Sequence, residues 1–231
     1  MKGVMFGDKH SYRDFGLILS SKSISPPKAQ TNMVSVPLRD GSIDLTESLT
    51  GDVKYEDGKI SITFTVINHN NAWAATMSEV ENYLHGQRMQ IVFDDDASFY
   101  YIGRISVNKF TSKKNLGTLV IDCTVEPYKY EVLSTLDDWE WDSFDFDTGR
   151  INQISDISVE GSTEVIVIGR RKKVSPKITT SAAMTVAFEG AEYNLSAGTQ
   201  KVYGLLLHEG ENVLTFVGKG TVSVDYRGGS L

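Results

Sequence analysis

The feature that most constrains this chain is a two-residue alternation of apolar and polar side chains that recurs along most of its length. Successive side chains of an extended strand point to opposite faces, so this period marks half-buried strands rather than helices. Ile60-Ser61-Ile62-Thr63-Phe64-Thr65-Val66 is the clearest case: Ile60, Ile62, Phe64 and Val66 share one face, and β-branched and aromatic types dominate. One segment departs from the pattern. Between Ala72 and His85, Trp73, Met77, Val80 and Leu84 recur at helical spacing, with Glu79 and Glu81 turned toward solvent. The spacing predicts one helix over about 72–85, capped by Asn70 or Asn71 and ended by a left-handed Gly86, with Trp73 in the core.

After this helix, Arg88–Phe93, Ser98–Phe110 and Gly117–Val125 alternate between short polar linkers, the signature of an antiparallel meander. Asp94-Asp95-Asp96 reads as a solvated turn, because a calcium loop needs ligands at alternate positions, a glycine and a distal glutamate. Composition shifts after Tyr128-Lys129-Tyr130, where Leu136–Asp147 is dense in carboxylates and aromatics. Trp139 and Trp141 share a strand face there, as do Phe144 and Phe146, and the acids between them suit an edge strand protected against pairing. The junction is placed here, giving domains 1–133 and 134–231. Short alternating runs follow: Ile154–Val159, Glu164–Ile168, Lys177–Thr180, Met184–Phe188, Glu192–Leu195, Lys201–Leu207, Asn212–Val217 and Thr221–Tyr226. They are punctuated by glycines that include Gly161, Gly218 and Gly220, which indicates a sandwich or jelly roll. The expected fold class is mainly β, two β-sandwich domains, with the one helix in the first.

A net charge of −7 argues against a broad nucleic-acid footprint, which needs a basic face. The exception, Arg170-Arg171-Lys172-Lys173, reads as a solvated hairpin loop. The single Cys123 has no intramolecular disulfide partner and lies inside an alternating run, so it reads as a buried small hydrophobe in a chain assembled in a reducing cytoplasm. No apolar stretch approaches the ~20 residues of a membrane span, and no signal-peptide pattern opens the chain. His10, His69, His85 and His208 are scattered without metal-ligand spacing, and no phosphate-binding glycine loop or nucleophile elbow occurs. The carboxylates of the acidic segment fall mostly on the polar side of one candidate strand, where solvation explains them better than a glycosidase pair. No enzyme, cofactor or metal site is expected; the profile is that of a binding or assembly protein.

Two motifs sharpen this reading. His10-Ser11-Tyr12-Arg13-Asp14-Phe15-Gly16-Leu17 and Val36-Pro37-Leu38-Arg39-Asp40-Gly41-Ser42-Ile43-Asp44-Leu45-Thr46 resemble the N-terminal signature of siphophage distal tail proteins. Asp14-Phe15-Gly16 reads as a turn leaving a strand, and Arg39-Asp40-Gly41 as a hairpin tip whose glycine takes positive φ. Pro127 and Tyr128 stand where that family closes its first domain. The segments around Gly210 and Asn212 and over Gly218–Arg227 are similar to its C-terminal strand pair. The resemblance implies a non-enzymatic tail-tip hub assembled in the host cytoplasm. Its first domain would form a ring, usually a hexamer with an axial channel, and the hub would join the tail tube protein to a tail-associated lysin or fibre protein or to a receptor-binding protein. The second domain would be galectin-like, a short form without the inserted arm that clasps a receptor-binding protein. On this reading Ser11, Asp14, Phe15, Gly16, Pro37, Arg39, Asp40, Gly41, Pro127, Tyr128, Gly210 and Asn212 are structural. A rival reading is a carbohydrate-binding module recognising host cell-wall sugars, with Trp139, Trp141, Tyr193 and Tyr203 as stacking platforms.

Overall fold

The computed structural model describes residues 2–67, 73–113, 116–137 and 153–231. The expected caps Asn70 and Asn71 and the aromatics Trp139, Trp141, Phe144 and Phe146 lie outside these residues. The chain is mainly β and divides into two compact units: Met1–Asp95 with Tyr101–Pro127 and Leu231, and Asp96–Tyr100 with Tyr128–Ser230.

In the first unit, β1 (Val4–Phe6) and β2 (Lys9–His10) precede a one-turn helix, α1 (Ser11–Phe15), and β3 (Leu17–Ser25). The chain then leaves the sheet through four short strands, β4 (Ala29–Gln30), β5 (Met33–Ser35), β6 (Ser42–Asp44) and β7 (Lys54–Tyr55). It returns as β8 (Gly58–Ile67), the helix α2 (Trp73–Leu84), β9 (Arg88–Phe93), β10 (Phe99–Ser112) and β11 (Leu116–Val125). The antiparallel order is β2-β1-β9-β10-β11-β8-β3. The period-two expectation holds along β8 and β11, where Ile60 faces Cys123, Ile62 faces Ile121 and Phe64 faces Leu119, all buried. The predicted helix is present, and its Met77, Val80 and Leu84 enter the same core. Trp73 tilts against Phe110 at 5.4 Å, over Gly117, where a Cβ would stand 2.8 Å from either ring. Burial, reinforced by the neighbouring Asp122 charge, pushes the Cys123 thiol up to about 12, as befits a core residue.

The second unit contains β12 (Lys129–Glu131), β13 (Ile157–Gly169), β14 (Lys177–Thr180), β15 (Met184–Phe188), β16 (Ala191–Leu195), β17 (Gly198–Lys201), β18 (Gly210–Asp225) and β19 (Gly229–Ser230). The short strands β12 and β19 pair with each other, and β12 also pairs with the first residues of β10. The main sheet runs β16-β15-β18-β14-β17, with β13 on the other edge of β18. Two expectations are corrected here. Gly161, Gly218 and Gly220 do not separate strands: β13 and β18 run through them in one register from Ile157↔Val222 to Gly169↔Gly210. The buried side chains stay in phase across the glycines, with Leu214 and Phe216 before them and Val222 and Val224 after. At that level β18 exchanges β15 for β14 as its neighbour. A Cβ on Gly218 would lie 2.6 Å from that of Met184, and one on Gly220 2.5 Å from the Ser181 hydroxyl. The glycines permit the close approach of a sheet folding over its own core. Secondly, the expected strand Lys201–Leu207 ends at Lys201; Val202–Leu205 is a turn closed by the Leu205 amide on the Val202 carbonyl at 3.0 Å.

Candidate functional site

The first motif forms an N-terminal turn built on a histidine. His10 ends β2 in extended geometry and caps α1, its Nδ1 accepting the amides of Tyr12 and Arg13 at 3.2 Å each. A ring nitrogen that accepts two backbone donors carries no proton, so Nε2 donates to Asp94 Oδ2 at 3.1 Å. Asp14 reaches back to the His10 amide at 2.6 Å, in the manner of a capping box, and Ser11 Oγ accepts the Val4 amide at 3.0 Å. Phe15 is buried against Tyr83 at 5.6 Å, and Gly16 ends the helix at φ 66°. The expected turn at Asp14-Phe15-Gly16 is therefore the end of a short helix. Burial raises the Asp94 carboxyl, but the His10 and Gly3 hydrogen bonds and the charge of Arg13 outweigh it and hold the group below its ordinary value. Its neighbours in the aspartate run are also engaged: Asp95 pairs with Lys22 at 2.5 Å and Asp96 with Lys129 at 2.7 Å.

The second motif lies on the excursion between β3 and β8. Met33, Val34 and Ser35 face Asp44, Ile43 and Ser42, so residues 36–41 form a hairpin tip as expected, with Gly41 at φ 75°. Pro37 precedes Leu38, which holds φ 65° and is fully exposed. The Arg39 amide returns to the Val36 carbonyl at 3.2 Å, next to Asp40. Asp44 is held below its usual range by the Thr46 hydroxyl and amide. No residue from Ser20 to Asp57 belongs to the core cluster, while Met33 and Leu49 are 54% and 90% exposed.

Pro127 is the last residue of its segment in the first unit, and Tyr128 opens the corresponding segment of the second. Lys172 lies 5.6 Å from the Tyr128 ring and 4.6 Å from that of Tyr130, whose hydroxyl accepts its ammonium at 2.6 Å. Arg170 pairs with Glu131 at 2.6 Å and Arg171 with Glu209 at 3.5 Å. The basic run is a solvated loop only in part: Arg171 and Lys173 are exposed as expected, whereas Arg170 and Lys172 are half-buried and packed.

Near the C-terminus, Asn212 is 1% exposed and closes a loop. Its side-chain NH2 donates to the carbonyls of Val167, His208 and Gly210, at 3.2, 2.8 and 3.0 Å, and its oxygen accepts the His208 amide at 2.9 Å. Gly210 takes φ 94° within this loop. Of the stacking candidates inside the described residues, Tyr193 is half-buried against the core and beneath Gly204, whereas Tyr203 is 78% exposed. Among the described residues no group of three His, Cys, Asp or Glu side chains is placed to hold a metal ion.

No protein-family model matches the chain, and no curated protein does. Its fold is similar to that of a phage distal tail hub protein. The particular structure is the Dit protein (gp 19.1) of phage SPP1, a paradigm of the hub adsorption apparatus of phages that infect Gram-positive bacteria. It matches with a TM-score of 0.63 at 13% identity, over 98% of this chain and 99% of that one.

Proposed function

We propose that the chain is a structural component of a phage tail tip, an oligomeric ring hub joining the tail tube protein to a tail-associated lysin or fibre protein. The observation that carries this reading is the end-to-end likeness to a hub protein, which extends over both units rather than over one common sandwich. The domain at 1–133 forms the ring, most simply a hexamer, and the galectin-like domain at 134–231 serves as the small adaptor of a short-form hub. The protein works by recognition rather than turnover, takes no cofactor, and resides in the virion tail after assembly in the host cytoplasm.

A closed ring of one chain needs a heterologous interface, in which two different surfaces of each subunit meet. The excursion between β3 and β8 suits one of these surfaces. A two-stranded ribbon is marginal in water by itself, yet this one displays Met33, Val34, Leu38, Leu45 and Leu49 to solvent. It also holds a leucine at positive φ, a conformation costing ~1–3 kcal/mol that persists where surroundings impose it. A second copy of the chain is the natural cover.

Light scattering on the purified full chain tests the reading. The wild type is expected at a multiple of 25.6 kDa, alone or mixed with a neighbouring tail component. Leu38→Glu is expected to shift it toward the single-chain mass without lowering its melting temperature. A wild type that stays at single-chain mass under both conditions would contradict the proposal.

A further inference from the structure

The second unit presents an open strand edge at β17. Among the described residues β17 pairs only with β14, so its other backbone edge is open. A lysine on an edge strand commonly blunts it, but here two lysines stand directly opposite each other, Lys177 and Lys201. Like charges in that position repel. Asp225 lies across from Lys177 on the inner strand, yet among the described residues neither lysine forms an ion pair.

Directly after β17 comes the turn that carries Tyr203, 78% exposed, with the Lys201 ammonium 5.4 Å from its ring centroid. The turn is held from both sides. Ser175 Oγ donates to the Val202 carbonyl at 2.5 Å, and Val174 and Leu207 exchange backbone bonds at 2.9 and 3.2 Å. Leu205 and Leu207 are fully buried, which leaves Leu206 facing out at 47% exposure. A turn whose backbone is already held beside an open strand edge loses little conformational entropy on binding.

We propose that β17 and the Tyr203–Leu206 turn form a docking edge for an extended, acidic segment of a protein partner. The segment adds antiparallel to β17, places carboxylates against Lys177 and Lys201, and lays an apolar residue on Tyr203 and Leu206. Strand addition supplies affinity through main-chain bonds and specificity through alternate side chains. Lys177 and Lys201, facing each other on a chain of net charge −7, select an acidic partner and disfavour a second copy of this chain. Because the edge lies in the second unit, its test is independent of ring formation.

The test is a titration of full-length protein with a short labelled peptide alternating glutamate and valine, read by fluorescence anisotropy and by amide exchange along Gly198–Lys201. Expected are binding that weakens as salt rises, slowed exchange at β17, and a loss of about tenfold or more in affinity for Lys201→Glu and for Tyr203→Ala. Both positions are exposed, so the variants should melt like the wild type. The proposal is overturned if the peptide does not bind, if either variant binds as well as the wild type, if a lysine–valine peptide binds equally, or if a soluble wall polysaccharide displaces the peptide from Tyr203.

Discussion

Asn212 fills its hydrogen-bonding capacity inside its loop, so its removal takes a partner from three carbonyls and one amide. Each buried group left without a partner costs ~1–3 kcal/mol. Asn212→Ala is therefore expected to lower unfolding free energy by about 2–4 kcal/mol in urea titrations, with some carbonyls recovering partial solvation. Asn212→Asp should cost more, because a carboxylate oxygen would face the three carbonyls that the NH2 now serves. At Gly218 the limit is space: alanine would force Met184 aside, and overpacking of this kind costs ~1–3 kcal/mol, readable as a lowered melting temperature. Asp94 supplies a pH signature. Its folded value lies below the ordinary 3.8, so its contribution is present at neutral pH and is lost as pH falls through the folded value. Calorimetry should show wild type melting above Asp94→Asn at neutral pH, and the gap should close at pH below the folded value. A gap unchanged in strong acid would contradict the role given to the His10–Asp94 bond.

At the scale of elements, the hairpin of β5 and β6 invites a proteolysis experiment. Its backbone is exposed and anchored to no core residue, so a single chain should be nicked first within 36–52, and a ring should protect the same stretch. Cleavage of the assembled protein at that site with equal speed would remove the excursion from the interface. The same elements show what was legible beforehand. β8, β11 and α2 were readable because each buries one face, and half-burial imposes a period on the sequence. The excursion is exposed on both faces and has no such period; only its glycine tip gave a signal. Gly161, Gly218 and Gly220 resembled turn punctuation because a glycine that permits a turn and one that permits close packing look alike in sequence. The His10 cap was illegible for another reason: its partner Asp94 lies 84 residues away. Likewise the packing of Arg170 and Lys172 depends on Glu131 and Tyr130, about forty residues upstream.

For the whole molecule, β-rich architecture was legible from patterning alone, while the tail-tip reading drew on the motifs at Ser11–Gly16, Pro37–Gly41 and Gly210–Asn212. Those motifs occupy local structures with definite geometry: a histidine-capped turn, a hairpin tip and an asparagine-locked loop. The fold carrying them spans the full length of a known hub protein. The most direct test of the hub is electron microscopy of the purified full chain, imaged alone and after mixing with its tail-tube neighbour. Closed rings with a central opening and one chain per repeating lobe are expected, sixfold in the simplest case. Isolated single chains in both preparations, or open filaments in place of closed rings, would contradict it.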